Sequence, residues 1–210
     1  MIRYEKCNHG SALVRHLRSR YGNDPIRGAE VGVFAGLLSY YVLKHVPTLQ
    51  LLMVDRWASA DPLSEYYNCG DKVSKCSDEE MLIVMQNALE ITNEFSSRRS
   101  VIRGESRDVA RSLKDRSLDF VFLDGDHTFN GVLDDLREWS PKVRENGIIS
   151  GHDFYTGEDG LWDVRGAVLE YLKVLGLGIE HVSVDIGGTW FVDLDSACRG
   201  IVPKGLGVVV

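Results

Sequence analysis

The sequence predicts an α/β fold: a doubly wound, seven-stranded, mostly parallel sheet with a C-terminal antiparallel hairpin. Three observations predict it. Strand-like and helix-like segments alternate along the chain. Two strand-like segments, residues 49–54 and 118–123, are nearly continuous apolar runs, as in strands covered on both faces. The last two, residues 181–185 and 189–194, flank Gly187-Gly188, the spacing of a tight two-residue hairpin turn.

The elements follow in order. Residues 10–20 read as an amphipathic helix with Leu13, His16 and Leu17 on one face. Residues 27–33 form a short apolar run with glycine near its end. Residues 36–46 place Leu37, Leu38, Tyr41, Val42 and His45 at helical spacing, and Pro47 stops that helix. After the strand at 49–54, residues 56–77 show no period and hold Pro62, Gly70, Cys69, Cys76 and several aromatics. A loop this long in a compact domain is often functional, so a lid-like insertion is expected there. Ser77 and Glu80 have the spacing of a capping box and open a helix whose inner face carries Met81, Val84, Met85, Ala88, Thr92 and Phe95. A strand near 99–103, a short helix near 106–113 and the strand at 118–123 follow. A helix over 128–139 points Val132, Leu136 and Trp139 inward, and Pro141 ends it. Gly147-Ile148-Ile149-Ser150 is strand-like and residues 161–175 are helical.

Composition supports one globular domain over residues 1–210: 44% of residues are hydrophobic and 26% charged. The 24 Lys+Arg against 31 Asp+Glu leave a net charge of −7, which argues against a general electrostatic grip on nucleic acid. No stretch approaches about 20 apolar residues, so no membrane span is expected. Met1-Ile2-Arg3-Tyr4-Glu5-Lys6 lacks the apolar segment of a signal peptide. Cys7, Cys69, Cys76 and Cys198 form no C-x-x-C pair and read as free thiols in a reducing cytoplasm; a Cys69–Cys76 disulfide or a cysteine zinc site is the alternative. The mildly apolar tail, residues 200–210, suits packing on a second subunit of a homodimer.

Ligands on such sheets bind beyond the carboxyl ends of the strands, so the residues just after each strand carry the chemistry. The first strand leads into Glu30-Val31-Gly32-Val33-Phe34-Ala35-Gly36. Gly32 and Gly36 allow a tight turn and a close ligand, or a tight turn alone. Their spacing is G-x-x-x-G, not the G-x-G-x-x-G of a dinucleotide site. Glu30 suits a ligand with an ammonium or hydroxyls better than bare phosphates. The second strand ends in Asp55, 19 residues after Gly36. A carboxylate there commonly accepts from ribose hydroxyls, the alternative being a solvated turn. Together the two features favour a nucleoside-containing cofactor.

These residues resemble the class I S-adenosylmethionine (SAM) dependent methyltransferases, over residues 27–194 and including the terminal hairpin. The resemblance implies a Rossmann-like methyltransferase fold with Glu30 near the methionine end of SAM and with Gly32, Phe34 and Gly36 along the cofactor. It implies that Asp55 holds the ribose with Arg56 beside it, and that Glu105 and Ser106 border the adenine. Asp124 would lie at the reactive end of the cofactor.

The fourth strand ends Asp124-Gly125-Asp126-His127 and the fifth Gly151-His152-Asp153. Strands four and five should be neighbours, so Asp124, His152 and Asp153 could converge on one cation. Carboxylate oxygens suit Mg²⁺, Ca²⁺ or Mn²⁺, and an imidazole tilts the set towards Mn²⁺, Fe²⁺ or Zn²⁺. This part resembles the metal-dependent small-molecule and sugar O-methyltransferases, in particular a branch with an Asp-Gly-Asp-His signature. By that resemblance Asp124, His152 and Asp153 are the metal ligands, although the better-studied relatives carry a carboxylate at the position of His152. His127 matches the position of their general base, and an imidazole can take a hydroxyl proton near neutral pH. Asp124 and His127 are thus the catalytic candidates, while Asp126 reads as the cap of the helix that follows.

The expected function is SAM-dependent methyl transfer to a hydroxyl of a small molecule or sugar. An NAD-type oxidoreductase is disfavoured by the glycine spacing. A nucleic-acid methyltransferase is disfavoured by the acidic charge and the lack of an N-P-P-Y-like motif. A SAM-binding regulatory protein without catalysis is the remaining alternative. Trp57, Tyr66 and Tyr67 read either as cover for the ligands or as local packing, and Phe154 and Tyr155 as acceptor-site lining or core. Arg98, Arg99 and Arg103 read as solvated strand flanks, and Trp190 and Phe191 as core.

Overall fold

A computed structural model describes residues 7–158, 160–185 and 187–194. Cys198 and the tail at 200–210 lie outside the described residues. The strands are β1 (Ile26–Val31), β2 (Leu49–Asp55), β3 (Arg99–Arg103), β4 (Leu118–Leu123), β5 (Val143–Gly151), β6 (Ser183–Val184) and β7 (Trp190–Asp193). The helices are α1 (Asn8–Tyr21), α2 (Leu37–His45), α3 (Glu65–Asn68), α4 (Asp78–Ile91), α5 (Ser106–Ser112), α6 (Phe129–Trp139) and α7 (Val164–Val174). The strands form one sheet in the order β3-β2-β1-β4-β5-β7-β6. Strands β1 to β5 pair in parallel, and β7 runs antiparallel to both β5 and β6. The order reverses between β1 and β4, so a crevice opens there beyond the strand ends.

The apolar runs fill both faces because successive side chains point to opposite sides. Leu51, Met53, Phe120 and Phe122 pack with α1, α2 and α4 on one face. Val54, Val121, Leu123 and Ile149 pack with α5, α6 and α7 on the other. Gly28 sits opposite Phe120 in the sheet, and a Cβ on it would lie 2.1 Å from the Phe120 ring. The glycine is therefore the space that the central phenylalanine occupies.

The capping box forms as its spacing predicts: Ser77 N donates to Glu80 Oε2 at 2.8 Å and Glu80 N to Ser77 Oγ at 3.3 Å. Four readings of the sequence change. Leu37 is 46% exposed although it shares the helical spacing of buried Leu38 and Val42, because it lies at the first position of α2. Thr128, not Asp126, caps α6 by accepting from Gly131 N at 3.1 Å; Asp126, two residues earlier, accepts from Thr128 N at 2.8 Å. Strand β5 begins four residues before Gly147, with Asn146 taking a positive φ inside it. Near β3, half-buried Arg98 and Arg99 are clamps rather than solvated flanks, while Arg103 is exposed as expected and also donates to backbone. Arg98 donates to the carbonyls of Leu43, Val46 and Leu49, Arg99 to Leu89 O and Thr92, and Arg103 to Arg56 O and Trp57 O.

Trp190 and Phe191 are core. Among the described residues Cys7, Cys69 and Cys76 are free thiols, so no Cys69–Cys76 disulfide forms. No helix among the described residues is long and apolar enough to cross a membrane.

Candidate functional site

The loop leaving β1 is tied to its neighbours by backbone. Gly32 N donates to Val54 O at 2.9 Å, and Asp124 N to Val31 O at 2.8 Å. Gly32 (φ 87), Phe34 (φ 48) and Gly36 (φ 75) all lie in left-handed backbone, which bends the chain sharply into α2. Asp55, at the end of β2, holds this bend. Its Oδ2 accepts from Phe34 N at 2.8 Å and its Oδ1 from Trp57 N at 2.7 Å. Burial pushes the Asp55 carboxyl pKa up, and these backbone donors oppose it. Trp57 is fully buried and its Nε1 donates to Phe34 O at 2.9 Å. It therefore props the loop from inside the core and does not face a ligand.

A cleft of about 700 Å³ runs along the switch point. Gly32, Asp55, Arg56, Glu105 and Ser106 line it towards β2 and β3, and Asp124, His127, His152 and Asp153 line it towards β4 and β5. The structure thus brings these nine sequence candidates to one cavity. Glu30, Phe34 and Gly36 are not among its lining residues. Glu30 is buried on β1 and accepts a hydrogen bond from Ser39 Oγ, and burial drives its carboxyl pKa well above the usual range. Gly36 is the N-cap of α2, packed against Ala88.

Ser106, at the start of α5, donates to Asp135 Oδ1 and accepts from Trp139 Nε1 at 2.8 Å. Asp135 lines the cleft from α6. Burial pushes its pKa up to about 7 against the hydrogen bond from Ser106.

At the other end, one ligand atom from each of Asp124, His152 and Asp153 lies within 4.8 Å of the others. His152 Nδ1 is 3.1 Å from Asp153 Oδ1 and 4.0 Å from Asp124 Oδ1. Asp153 adopts a positive φ of 55, a left-handed conformation uncommon for residues other than glycine. His152 N donates to Leu123 O at 3.2 Å, and Trp190 Nε1 donates to His152 O at 3.1 Å, so the hairpin fixes this corner. Burial opposes protonation of His152, but Asp153 and Asp124 outweigh it and raise its pKa.

His127 is 9% exposed. Its Nε2 lies 3.4 Å from Asp124 Oδ1 and 3.5 Å from Asp153 Oδ2, and its Nδ1 lies 3.2 Å from Asp71 Oδ2. Its ring stacks on Trp162 at 4.1 Å and 4°, and Tyr155 also stacks on Trp162 at 5.5 Å. Burial alone would lower the His127 pKa, but the hydrogen-bonding carboxylates Asp124 and Asp71 push it up to about 10.

Sequence reasoning missed Asp71, Trp162, His9 and Asp135. Asp71 lies in the aperiodic 56–77 segment; Trp162, expected inside the helix over 161–175, instead precedes α7 in an irregular stretch bridged to Thr128. His9 opens α1 and its ring lies 4.8 Å from that of His152, with its Nε2 3.1 Å from Cys7 Sγ. No motif marks any of them. Of the aromatics read as cover, Tyr66 lines the cleft, while Tyr67 lies under the Lys75 ammonium, outside the cleft lining. Phe154 packs partly buried against the core, and Tyr155 is exposed apart from its stack.

A sequence model described as a methyltransferase domain matches residues 29–154. No curated protein matches the chain. A solved protein of Corynebacterium glutamicum superposes with a TM-score of 0.59 at 17% identity, covering 89% of this chain and 80% of that one. The O-methyltransferase TomG from Streptomyces achromogenes, involved in tomaymycin synthesis and solved with SAM, gives 0.59 at 15% identity over 90% and 80%. The mycinamycin-pathway methyltransferase MycE, solved with Mg, S-adenosylhomocysteine (SAH) and mycinamycin VI, gives 0.56 at 19% identity. That match covers 93% of this chain and 51% of MycE, so this chain spans about half of that protein. At these identities the likeness is one of fold.

Proposed function

This chain belongs to the methyltransferase-domain family, and we propose that it transfers the methyl group of SAM to a hydroxyl of a small molecule or sugar. The observation that carries this reading is the meeting of Asp124, His127, His152 and Asp153 with Gly32 and Asp55 in one cleft at the β1/β4 switch point. Two proteins of like fold, TomG and MycE, were solved with SAM and with SAH, which supports the same donor here.

In this reading Asp55 accepts from the ribose while its backbone donors hold it in place. Gly32 lets the cofactor lie against the backbone. Arg56, Glu105 and Ser106 line the adenine end, and Asp124 faces the sulfonium. Glu30 and Gly36 act from behind the lining, by shaping the bend, and Phe34, whose side chain is exposed, shapes it through its backbone. The acceptor hydroxyl lies beside the Asp124–His127 pair. Its oxygen attacks the methyl carbon, the O–CH₃ bond forms as the S–CH₃ bond breaks, and SAH leaves neutral. His127 Nε2 takes the hydroxyl proton when the imidazole is in its neutral form, which Asp124 and Asp71 disfavour and a cation shared by Asp124 and Asp153 would favour. The protein contributes alignment and deprotonation.

Asp124, His152 and Asp153 fit a divalent cation by their donor set of two carboxylates and one imidazole within 4.8 Å. Mg²⁺, Mn²⁺ or Ca²⁺ bound there would lower the hydroxyl pKa and orient the oxygen. The segment 56–77 serves as a lid on one domain spanning 1–210, and free Cys7, Cys69 and Cys76 suit a cytoplasmic setting. A homodimer through the tail belongs to the same proposal.

Calorimetric titration with SAM, SAH and NAD tests the donor, and tritium transfer from methyl-labelled SAM to a panel of catechols and glycosides tests the acceptor class. SAM and SAH binding with label transfer is the expected result. NAD binding in place of SAM would turn the reading to an oxidoreductase. SAM binding without transfer to any acceptor would turn it to a SAM-binding regulatory protein.

A further inference from the structure

His127 is held on three sides. Trp162 covers one ring face, Asp124 and Asp153 lie beside Nε2, and Asp71 lies beside Nδ1. Asp71 comes from the aperiodic segment between β2 and α4. It is itself pinned. Its Oδ1 accepts from Val73 N at 2.8 Å, its carbonyl accepts from Ser74 Oγ at 2.7 Å, and Tyr66 Oη lies 3.4 Å from its Oδ2. It is buried, and although burial opposes its charge, His127 and the Val73 amide hold its pKa below the usual carboxylate range. A carboxylate that stays ionised accepts hydrogen bonds and donates none.

To act as a base His127 must be the neutral imidazole; in that form it carries one proton, on one of its two nitrogens, and the bond made by one nitrogen decides the state of the other. The Trp162 stack keeps the ring in its plane. A half-turn about the Cβ–Cγ bond preserves that plane and exchanges the positions of the ring atoms, so stacking alone leaves the ring's direction open. Asp71 favours one direction, because its Oδ2 lies 3.2 Å from Nδ1, whereas the flipped ring would set a carbon there and leave that oxygen only the longer contact to Tyr66 Oη. The Nε2 lone pair then faces Asp124 and Asp153, where the acceptor hydroxyl is placed.

We propose that Asp71 is a positioning residue for His127, so that the 56–77 segment is part of the proton-transfer apparatus as well as a wall of the cleft. The inference rests on the reading of His127 as the base. The proton passes from the hydroxyl oxygen to Nε2, Nδ1–H stays on the ring and donates to Asp71 throughout, and Asp71 takes up no proton.

The test uses ¹⁵N-histidine-labelled protein saturated with SAH, with His127 assigned by its loss in H127Q. The expected result is an Nδ1-bound, downfield ring proton on His127 that exchanges slowly with water. It should be lost or exchange much faster in D71A and D71N, and be partly recovered in D71E. A His127 ring proton unchanged in D71N, or absent from Nδ1 in the parent protein, overturns the proposal. D71N retains an oxygen to cap the Val73 amide, so it separates loss of the carboxylate from collapse of the segment, and unchanged SAH affinity confirms this.

A kinetic arm uses whichever acceptor takes label in the panel above. D71N should lower kcat by about 10²-fold, the low end of what a placed general base contributes, with KM for SAM little changed. The D71N/H127Q pair should be no slower than H127Q alone, since the two act as one unit. If H127Q turns over like the parent, the base reading falls. If H127Q is inactive and D71N keeps full kcat, Asp71 is not a positioning residue and the base reading stands.

Discussion

A Cβ placed on Gly32 would lie 2.1 Å from the carbonyl oxygen of Asp124, so the loop leaving β1 and the end of β4 meet backbone to backbone. The meeting point is where the strand order reverses. The contact keeps the proposed donor site and the proposed acceptor site within one cleft, because any side chain at position 32 would push Asp124 away.

Gly32→Ala should therefore be costly twice. The methyl group meets fixed backbone, and the residue sits at a φ of 87 that alanine rarely adopts. A destabilisation of roughly 1–3 kcal/mol is expected from overpacking. SAM affinity should fall at least about tenfold, equivalent to about 1.4 kcal/mol. Urea unfolding and calorimetry check both, and a variant with parental stability and affinity would show that the contact does not shape the cleft.

Asp135 makes stability depend on pH. Its carboxyl pKa rises from an ordinary 3.8 to about 7 in the fold, chiefly through burial. The folded protein thus holds a proton that the unfolded chain releases, and the stability this contributes is present below about pH 4 and lost as pH rises through about 7. Asp135→Asn, which keeps an oxygen for Ser106, should flatten the decline between these values. Parallel denaturation curves for the two proteins across the window would remove Asp135 as the cause.

Cation binding should be visible at His127. Without a cation the carboxylates Asp124 and Asp71 hold its pKa up at about 10, against burial. A dication shared by Asp124 and Asp153 cancels part of that attraction, so the His127 pKa should move down on adding Mg²⁺. Asp153→Ala should abolish both the cation binding and the shift. Replacing His152 by glutamate should favour Mg²⁺ over Mn²⁺, since it exchanges nitrogen for a hard oxygen. An NMR titration of His127 that is identical with and without Mg²⁺ would take the cation out of the site.

The sequence by itself determined the layered sheet and the residues at its strand ends. Strands buried on both faces must be apolar throughout, as Leu118–Leu123 is, and parallel strands joined by helices bring all their carboxyl ends to one edge. Asp124, His152 and Asp153 could be read as neighbours from this rule, and the family resemblance added Asp55 and His127. The roles of Asp71, Trp162, Trp57 and Arg98 were decided only by the tertiary structure. Asp71, Trp57 and Arg98 stand in aperiodic or flanking stretches, where no repeat of side-chain direction says what each one meets, and Trp162 falls outside the helix expected over 161–175, which starts only at Val164. Trp57 looked like any loop aromatic until its indole N–H found Phe34 O in the core, and Asp71 became a partner of His127 only when the segment after β2 folded back across the cleft. Periodicity reports which way a chain faces within one element, whereas a contact between two irregular segments is settled by the packing of everything between them.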